Sequence, residues 1–252
     1  MCLKAVKKVI RIIIPPAFWL GVWHLAAILV GRELLLPGPL AVFRSLIALA
    51  GTAEFWLSAL YTLLRVVAGL VGGTAAGVLL AVLTHFVRWA DLLISPAVRV
   101  LRATPVVSFI LLVYLWVTRD NIPGVIAALM VLPVIWGSMT AGLDAVDGQL
   151  LELARAYRFS RFKTLRLIYL PSIRSHLTGG ILTAFGLAWK SGVAAEVICP
   201  PRLAVGSRIQ AARLALETPE LFAWTIVIVA LSLVLERLLR CLIARKGDGT
   251  RA

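Results

Sequence analysis

Three charged residues, Arg65, Lys190 and Glu196, lie within long apolar segments of this sequence. If those segments are membrane helices, an unpartnered charge at the bilayer centre would cost about 2.5–3.5 kcal/mol on insertion scales. Lys190 and Glu196 are six positions apart, which separates them by about 240° around a helix. They therefore cannot pair well on one straight helix. Each is predicted to meet a partner on another helix or to line a wet pathway.

The chemistry that these residues favour is the binding of an anion, because a pathway carrying Arg65 and Lys190 would be cationic. For Arg65 the competing interpretation is a structural ion pair or a side chain that reaches the membrane surface. Glu196 lies near the end of its apolar segment and is alternatively predicted to reach the surface. Trp189 is predicted either to form an aromatic wall beside Lys190 or to anchor the helix at the bilayer edge.

No residue pattern predicts an enzyme site. The sequence contains no G-x-x-x-x-G-K-[ST] phosphate-binding loop. Its three histidines, His24, His85 and His176, are too scattered for metal-ligand spacing. We therefore predict no catalytic residue, no metal site and no cofactor bound by this chain.

The composition predicts a membrane protein. Of the 252 residues, 61% are apolar and 15% are charged, whereas soluble domains average about 45–50% and about 25%. We predict an all-α polytopic fold with a single domain, 1–252, and a short surface helix over residues 40–50. The predicted spans are residues 9–31, 58–84, 92–118, 122–143, 176–199 and 221–243.

The distribution of basic residues predicts the orientation. If the N-terminus lies inside, 18 of the 26 Lys and Arg residues fall in inner segments and six in outer ones. This bias is typical of cytoplasmic loops, so both termini are predicted to be cytoplasmic in a cell-membrane protein. The same bias accounts for the net charge of +14, so nucleic-acid binding is not needed to explain that charge.

A small-residue face is predicted on the second span, where Gly69, Gly73 and Gly77 follow one another at intervals of four. This spacing places them on one face of a helix and favours close helix packing in lipid.

The loop over residues 144–175 is the longest polar segment and the most basic. Its apolar residues predict two short helices with an apolar ridge outside the membrane, and Ser160 is placed to cap the second helix. The ridge residues are Leu150, Leu153, Ala154 and Tyr157, then Phe162, Leu165, Ile168 and Tyr169. Such a ridge fits either the lipid surface or a groove on a partner protein.

This loop resembles the signature of ABC importer permease subunits, which is Glu-Ala-Ala, three residues, Gly, nine residues, Ile-x-Leu-Pro. The matching residues are Glu152, Ala154, Ile168, Leu170 and Pro171, and Arg158 stands at the Gly position. Because Gly there would permit a positive φ, Arg158 predicts either a turn of different shape or a turn shifted to Phe159-Ser160.

Four flanking segments resemble the nitrate, taurine, sulfonate and bicarbonate branch of these permeases. They are LLPGPLAVFRSL, TLLRVVAGLVGGTAAG, SPAVRVLRATP and GLAWKSGVAAEVICPP, and the resemblance extends from about residue 20 to 235.

The resemblance implies a permease that moves a small anionic or heterocyclic solute into the cytoplasm. It implies a permease homodimer in membrane lipid, two cytoplasmic ATPase subunits that hold ATP-Mg, and an extracytoplasmic binding protein that delivers the solute. The loop around Glu152 would then sit in a groove of the ATPase. An ion-coupled secondary transporter and a membrane-embedded enzyme are the alternatives.

Overall fold

The computed structural model describes the backbone of residues 2–248 and the side chains of residues 14–243. This described part is all-helical, which confirms the predicted fold class. It contains eleven α-helices, α1 to α11, and one π-helical turn. Their bounds are Cys2–Val30, Pro39–Ala50, Ala53–Phe86, Arg88–Ala103, Val106–Val113, Ile122–Asp144, Gly148–Ala156, Arg161–Thr164, the π turn Leu165–Tyr169, Leu170–Ile198, Val205–Leu214 and Thr218–Asp248.

The core is a three-helix unit in which α6 packs against α3 on one side and α9 on the other. Most of its buried side chains are small or β-branched, which lets the helices approach closely. They include Val66, Ala127, Val131, Ile135, Ala184 and Ala188. Large apolar side chains such as Leu79 and Leu115 are instead exposed at 68% and 70% on the outer surface, as expected for contact with lipid.

The glycines of α3 form the contact with α6. A Cβ atom on Gly69 would lie 2.4 Å from the carbonyl oxygen of Gly124, and one on Gly73 would lie 2.6 Å from that of Ala128. A Cβ on Gly77 would lie 2.8 Å from the carbonyl oxygen of Leu132. All three glycines therefore face the backbone of α6. Gly72, on the other side of α3, has no atom within 4 Å of its Cβ position.

Three helical segments of the described chain are long and apolar enough to cross a membrane: Ala53–Phe86, Ile122–Asp144 and Arg161–Ile198. They contain the predicted spans 58–84 and 122–143 and all but the last residue of the predicted span 176–199. A fourth crossing results if α4 and α5 count as one span. The predicted count of six is not reached by these criteria.

Residues 92–118, predicted as one span, are divided between two helices. The axes of α4 and α5 differ in direction by 106°, and the break falls at Thr104-Pro105. Pro105 has no N–H to continue the ladder of α4 and disfavours helical geometry at the residue before it. Pro105 instead occupies the N-cap position of α5, with φ −59° and ψ 137°.

The outer helices α1, α2 and α11 meet at one side of the core. Trp23 of α1 donates a hydrogen bond to the carbonyl oxygen of Pro37 at 3.1 Å and stacks on Phe222 of α11 with ring centroids 6.0 Å apart. The described apolar part of α1, Ile14–Val30, is shorter than a crossing helix. The predicted first span begins at residue 9, outside the residues whose side chains are described.

We predict that Gly73→Ala destabilises the protein, because the added methyl group would force the backbones of α3 and α6 apart. The expected loss is about 1–3 kcal/mol, the range for overpacking, measured as a lower unfolding temperature in detergent. The matched control is Gly72→Ala, which adds the same methyl group to the same helix in open space. Equal unfolding temperatures for the two variants would contradict this account of the α3–α6 contact.

Candidate functional site

The loop over residues 144–175 folds into two helical arms, each with a side-chain cap. Asp147 accepts a hydrogen bond from the backbone N–H of Gln149 at 2.8 Å at the start of α7. Ser160 accepts one from the N–H of Lys163 at 3.3 Å at the start of α8, as the sequence predicts. These caps satisfy N–H groups that lack partners within the helices.

The turn between the arms is centred on Arg158, which adopts the left-handed conformation with φ 52°. The Phe159 N–H donates to the carbonyl oxygen of Ala154 at 2.8 Å, and the Arg158 N–H donates to that of Arg155 at 3.0 Å. This pair of bonds is the Schellman motif, which most often has Gly at the left-handed position. The turn is therefore at the position of the signature Gly and is not shifted to Phe159-Ser160.

The second arm is not a separate surface helix, which corrects the prediction of two short helices. Residues Arg161–Ile198 form one continuous helical segment, which α8 enters through the π turn Leu165–Tyr169. Pro171 follows directly and cannot donate a hydrogen bond, and its ring would clash with the carbonyl group of Leu167 in regular α-helical geometry. The π turn thus accompanies the signature proline, and the arm is joined directly to α9.

The six signature residues divide by burial. Ala154 and Ile168 are buried, at 3% and 8% exposure, and hold the two arms against the protein. Glu152, Arg158, Leu170 and Pro171 are exposed. Glu152 makes no hydrogen bond or ion pair with another described residue, and its side chain is exposed on α7.

A cavity of about 700 Å³ lies between the two arms and the end of α3. Its lining is largely aromatic and aliphatic with two arginines, namely Phe86, Leu151, Phe159, Phe162, Arg155 and Arg161. Next to it, the side chains of Tyr157 and Phe162 are exposed at 72% and 71%. This surface combines large apolar side chains with positive charge.

Glu196 is fully buried near the end of α9 and lies against α3 and α10. Its Oε2 accepts hydrogen bonds from the Thr62 hydroxyl at 2.9 Å and from the Gly206 N–H at 3.1 Å. Thr62 in turn accepts a hydrogen bond from the N–H of Val205 at 2.9 Å. Because Val205 and Gly206 begin α10, a carboxylate and a hydroxyl satisfy the N-terminus of that helix. The alternative prediction that Glu196 reaches the surface is wrong.

Arg65 and Glu196 are brought together by the fold. Arg65 Nη1 lies 3.7 Å from Glu196 Oε1 and donates a hydrogen bond to the carbonyl oxygen of Leu203 at 2.6 Å. Arg65 Nη2 lies 3.3 Å from Asp120 Oδ1. This geometry is that of the structural ion pair given above as the alternative for Arg65. It occupies Glu196, which among the residues with described side chains is the one buried acid that an ion-coupled mechanism would use.

Lys190 and Trp189 do not join this cluster. Lys190 is exposed on α9, and within the described chain no carboxylate lies within salt-bridge distance of its ammonium group. Trp189 is 3% exposed and packs in the main core, with its ring 6.5 Å from that of Phe185. The structure therefore places Trp189 neither at a bilayer edge nor beside the Lys190 ammonium group.

The sequence analysis missed Thr62, Asp120 and Gly206. Thr62 precedes Arg65 by three residues and so shares its helix face, which is a signal available from the sequence. Asp120 lies between two predicted spans, and no local pattern relates it to Arg65. Gly206 is required because its Cβ would lie 2.5 Å from that of Glu196, but nothing in the sequence relates two positions on different helices.

Comparison with known proteins identifies relatives over most of the chain. The family described as "binding-protein-dependent transport system inner membrane component" matches residues 73–247. The chain is 24% identical over 229 residues to a Bacillus subtilis protein named as an aliphatic sulfonates transport permease, SsuC, covering 90% of this chain and 83% of that protein. It is also 24% identical to the taurine transport system permease protein TauC of Escherichia coli, covering 87% and 82%.

A solved structure has a similar fold. It is described as the crystal structure of an amino acid ABC transporter with histidines, and the TM-score is 0.61. The match covers 76% of this chain and 91% of that chain at 20% sequence identity. The likeness therefore extends over nearly the whole of the solved chain.

We predict that Arg158→Gly stabilises the protein, because glycine adopts a positive φ without the steric clash of a side chain. The expected gain is about 1 kcal/mol, measured as a higher unfolding temperature. The control is Arg155→Gly, which places the same residue inside α7 and should lower stability by about 1 kcal/mol. If Arg158→Gly is also destabilising, the left-handed turn described here is wrong.

We predict that Glu196→Ala strongly destabilises the protein, because it leaves Arg65 without its buried partner and removes an acceptor from the start of α10. The expected loss is about 3–5 kcal/mol, measured by thermal unfolding. Lys190→Met, on the exposed face of the same helix, should change stability by less than about 0.5 kcal/mol. Similar losses for both variants would contradict a structural role that is specific to Glu196.

Proposed function

The chain belongs to the family of binding-protein-dependent transport system inner membrane components, which are ABC transporter permeases, and we propose that it carries a small sulfonate-type anion into the cytoplasm. The energy comes from ATP hydrolysed on a separate subunit, and the solute comes from an extracytoplasmic binding protein. Both partners are inherent in a binding-protein-dependent ABC system, and this chain has no phosphate-binding loop of its own.

The observation that carries the proposal is the loop over residues 144–175, whose tip combines exposed apolar side chains with basic ones. Tyr157 and Phe162 are too exposed to stabilise this chain, and burial of such side chains in a partner groove releases about 25 cal/mol per Å² of apolar surface. We assign this surface to the ATPase. An apolar helix laid in a groove of a second protein is a recurrent docking mode.

Glu152 is exposed on α7 within this surface. We assign it a positioning role, in which the carboxylate accepts a hydrogen bond from a backbone group or a basic side chain of the ATPase. A charge-assisted bond of this kind fixes orientation as well as affinity. The basic residues of the loop, including Arg155, Arg161 and Lys163, would complement an acidic rim around the ATPase groove.

The loop is built to transmit motion, because both of its arms are joined to core helices. The second arm continues into α9 without a break, and the first follows α6 after residues 145–147. At the same end of the protein, His85 at the end of α3 lies 3.2 Å from Asp144 at the end of α6. Closure of two ATPase subunits would therefore tilt α3, α6 and α9 together as rigid elements.

We propose six crossings for the membrane topology. The helices that meet the length and composition criteria supply three, α4 and α5 together supply a fourth, and α1 and α11 supply the other two. Within α11 no charged residue occurs between Glu220 and Glu236. The basic bias places the termini and the loop over residues 144–175 in the cytoplasm, and a second copy of the chain completes the pathway between two permeases with two ATPase subunits.

The solute follows from charge and from the relatives. Lys190 presents an exposed cation on a helix of the core, which favours an anionic solute. Two of the relatives are named for aliphatic sulfonates and for taurine, which carry a sulfonate group. A heterocyclic solute was the other prediction from the sequence, and it lacks this support from charge.

The test is uptake by the reconstituted importer, with this chain, its ATPase subunit and its binding protein in liposomes. We expect radiolabelled taurine or ethanesulfonate to enter only when ATP and the binding protein are both present. Glu152→Ala should lower uptake and binding-protein-stimulated ATP hydrolysis at least ten-fold, with the subunits still synthesised and inserted, because the coupling surface is incomplete.

The control is Glu33→Ala, which removes an exposed acid between α1 and α2 and should leave uptake unchanged. Uptake that proceeds without ATP would contradict the ABC mechanism. Uptake of neither sulfonate would contradict the assigned solute class. Normal uptake and normal subunit assembly in Glu152→Ala would remove Glu152 from the coupling surface.

A further inference from the structure

The exposed face of α9 is polar, although α9 belongs to a segment long and apolar enough to cross a membrane. Between residues 176 and 190 its exposed residues follow one another at helical spacing: His176, Gly179, Thr183, Leu187 and Lys190. Only Leu187 among them is a typical lipid-facing residue. Because polar groups in a membrane helix face the bundle interior or water, this face is turned to a wet space rather than to lipid.

A cavity of about 580 Å³ opens on this face at the end of α9 nearer the loop over residues 144–175. Its walls come from α4, α6 and α9. Five of its residues carry polar side chains: Arg102, Ser138, Ser175, His176 and Thr183. No residue in the described lining is acidic.

Arg102 is the charged group of this cavity. Its guanidinium extends from α4 across to α6, where Nη2 lies 4.0 Å from the position of a Cβ on Gly137. The described chain contains no carboxylate within salt-bridge distance of Arg102 and no hydrogen-bond acceptor for it. This differs from Arg65, whose guanidinium is held by Glu196, Asp120 and Leu203.

Neutral donors beside Arg102 are also unused. Among the described residues, the Ser138 hydroxyl and the His176 ring have no hydrogen-bond partner within the chain. Ser138 is held in place by the close approach of α9, since a Cβ on Gly180 would lie 2.7 Å from both Ser138 Cβ and Oγ. His176 lies against Gly142 of α6, whose Cβ would be 3.1 Å from that of His176.

We propose that this cavity binds the anionic group of a small solute, such as a sulfonate, on its way through the permease. An unpaired guanidinium is suited to oxyanions because it is planar and offers several N–H donors, and hydroxyl and imidazole groups supply further donors. Lys190 lies on the same face of α9, 14 residues from His176, or about 21 Å along the helix. Arg102, which lines the cavity together with His176, and Lys190 are therefore two positive charges beside the same face of α9.

The choice of solute rests on the proposed function, but the cavity is tested independently of transport. The test uses the full chain in phosphatidylcholine nanodiscs, with Cys2, Cys199 and Cys241 replaced and a single thiol introduced by Thr183→Cys. The probes are two methanethiosulfonate reagents, one ending in a sulfonate and one in a trimethylammonium group. The readout is the ratio of their modification rates.

We expect Arg102→Gln to lower the ratio of anionic to cationic modification by about ten-fold. Loss of one positive charge from the cavity changes the rate for the anionic reagent and the rate for the cationic reagent in opposite directions, each by roughly three-fold. Arg102→Lys should retain the ratio. The matched control is Arg88→Gln, which removes a charge from the far end of the same helix and should leave the ratio unchanged. An unchanged ratio in Arg102→Gln would overturn the proposal.

A second measurement keeps Arg102 in place and so does not depend on how the variant folds. Sodium ethanesulfonate at 50 mM should slow modification by a neutral methanethiosulfonate at least two-fold more than sodium chloride at equal ionic strength. Equal effects of the two salts would overturn the proposal. Protection by phosphatidylglycerol in the nanodisc, without protection by ethanesulfonate, would assign the cavity to a lipid headgroup and would also overturn it. Failure of uptake with an intact rate ratio would instead reject only the proposed importer.

Discussion

The close contact between α3 and α6 is the constraint on which the rest of the structure depends. In lipid, apolar side chains gain little by meeting one another, so helix association relies on packing at short range. Gly69, Gly73 and Gly77 allow the two backbones to approach until a methyl group no longer fits. The same principle continues on the other side of the core, where Gly180 and Gly192 of α9 face Ser138 and Val66.

This packing also determines where charge can be buried. With α3 and α9 held close, Thr62 and Arg65 reach Glu196, and the carboxylate reaches the start of α10. The Glu196 carboxylate accepts hydrogen bonds from Thr62 and the start of α10 and lies within ion-pair distance of Arg65. These charges therefore hold three helices together. Within the described chain, neither Arg102 nor Lys190 has a carboxylate within salt-bridge distance. Arg102 lines the cavity beside α9, and Lys190 lies on the polar face of α9. The intramembrane charges thus separate into a structural set and an unpaired set.

The sequence predicts those features that depend on local spacing. The four-residue interval of the α3 glycines and the bounds of α6 follow from helical periodicity, whereas the motif of fixed length left two positions open for the turn near Arg158. The 106° bend at Pro105 was missed because a proline marks a break without specifying the angle. The partners of Glu196 were missed because Thr62 lies 134 positions away in sequence, and no local pattern specifies such a contact. Arg102 lies within the predicted span 92–118, and no local pattern relates it to Ser138 and His176 on other helices.

The π turn Leu165–Tyr169 places one extra residue at the joint between the second arm and α9. A π turn winds one more residue into its length than an α-helix of the same number of turns. If the extra residue moves along the helix, the segment before the π turn rotates by about 100° relative to the segment after it and moves by about 1.5 Å along the axis. The segment that carries Phe162 and the polar face of α9 with His176, Thr183 and Lys190 are therefore joined through a π turn, and displacement of that turn would rotate one relative to the other.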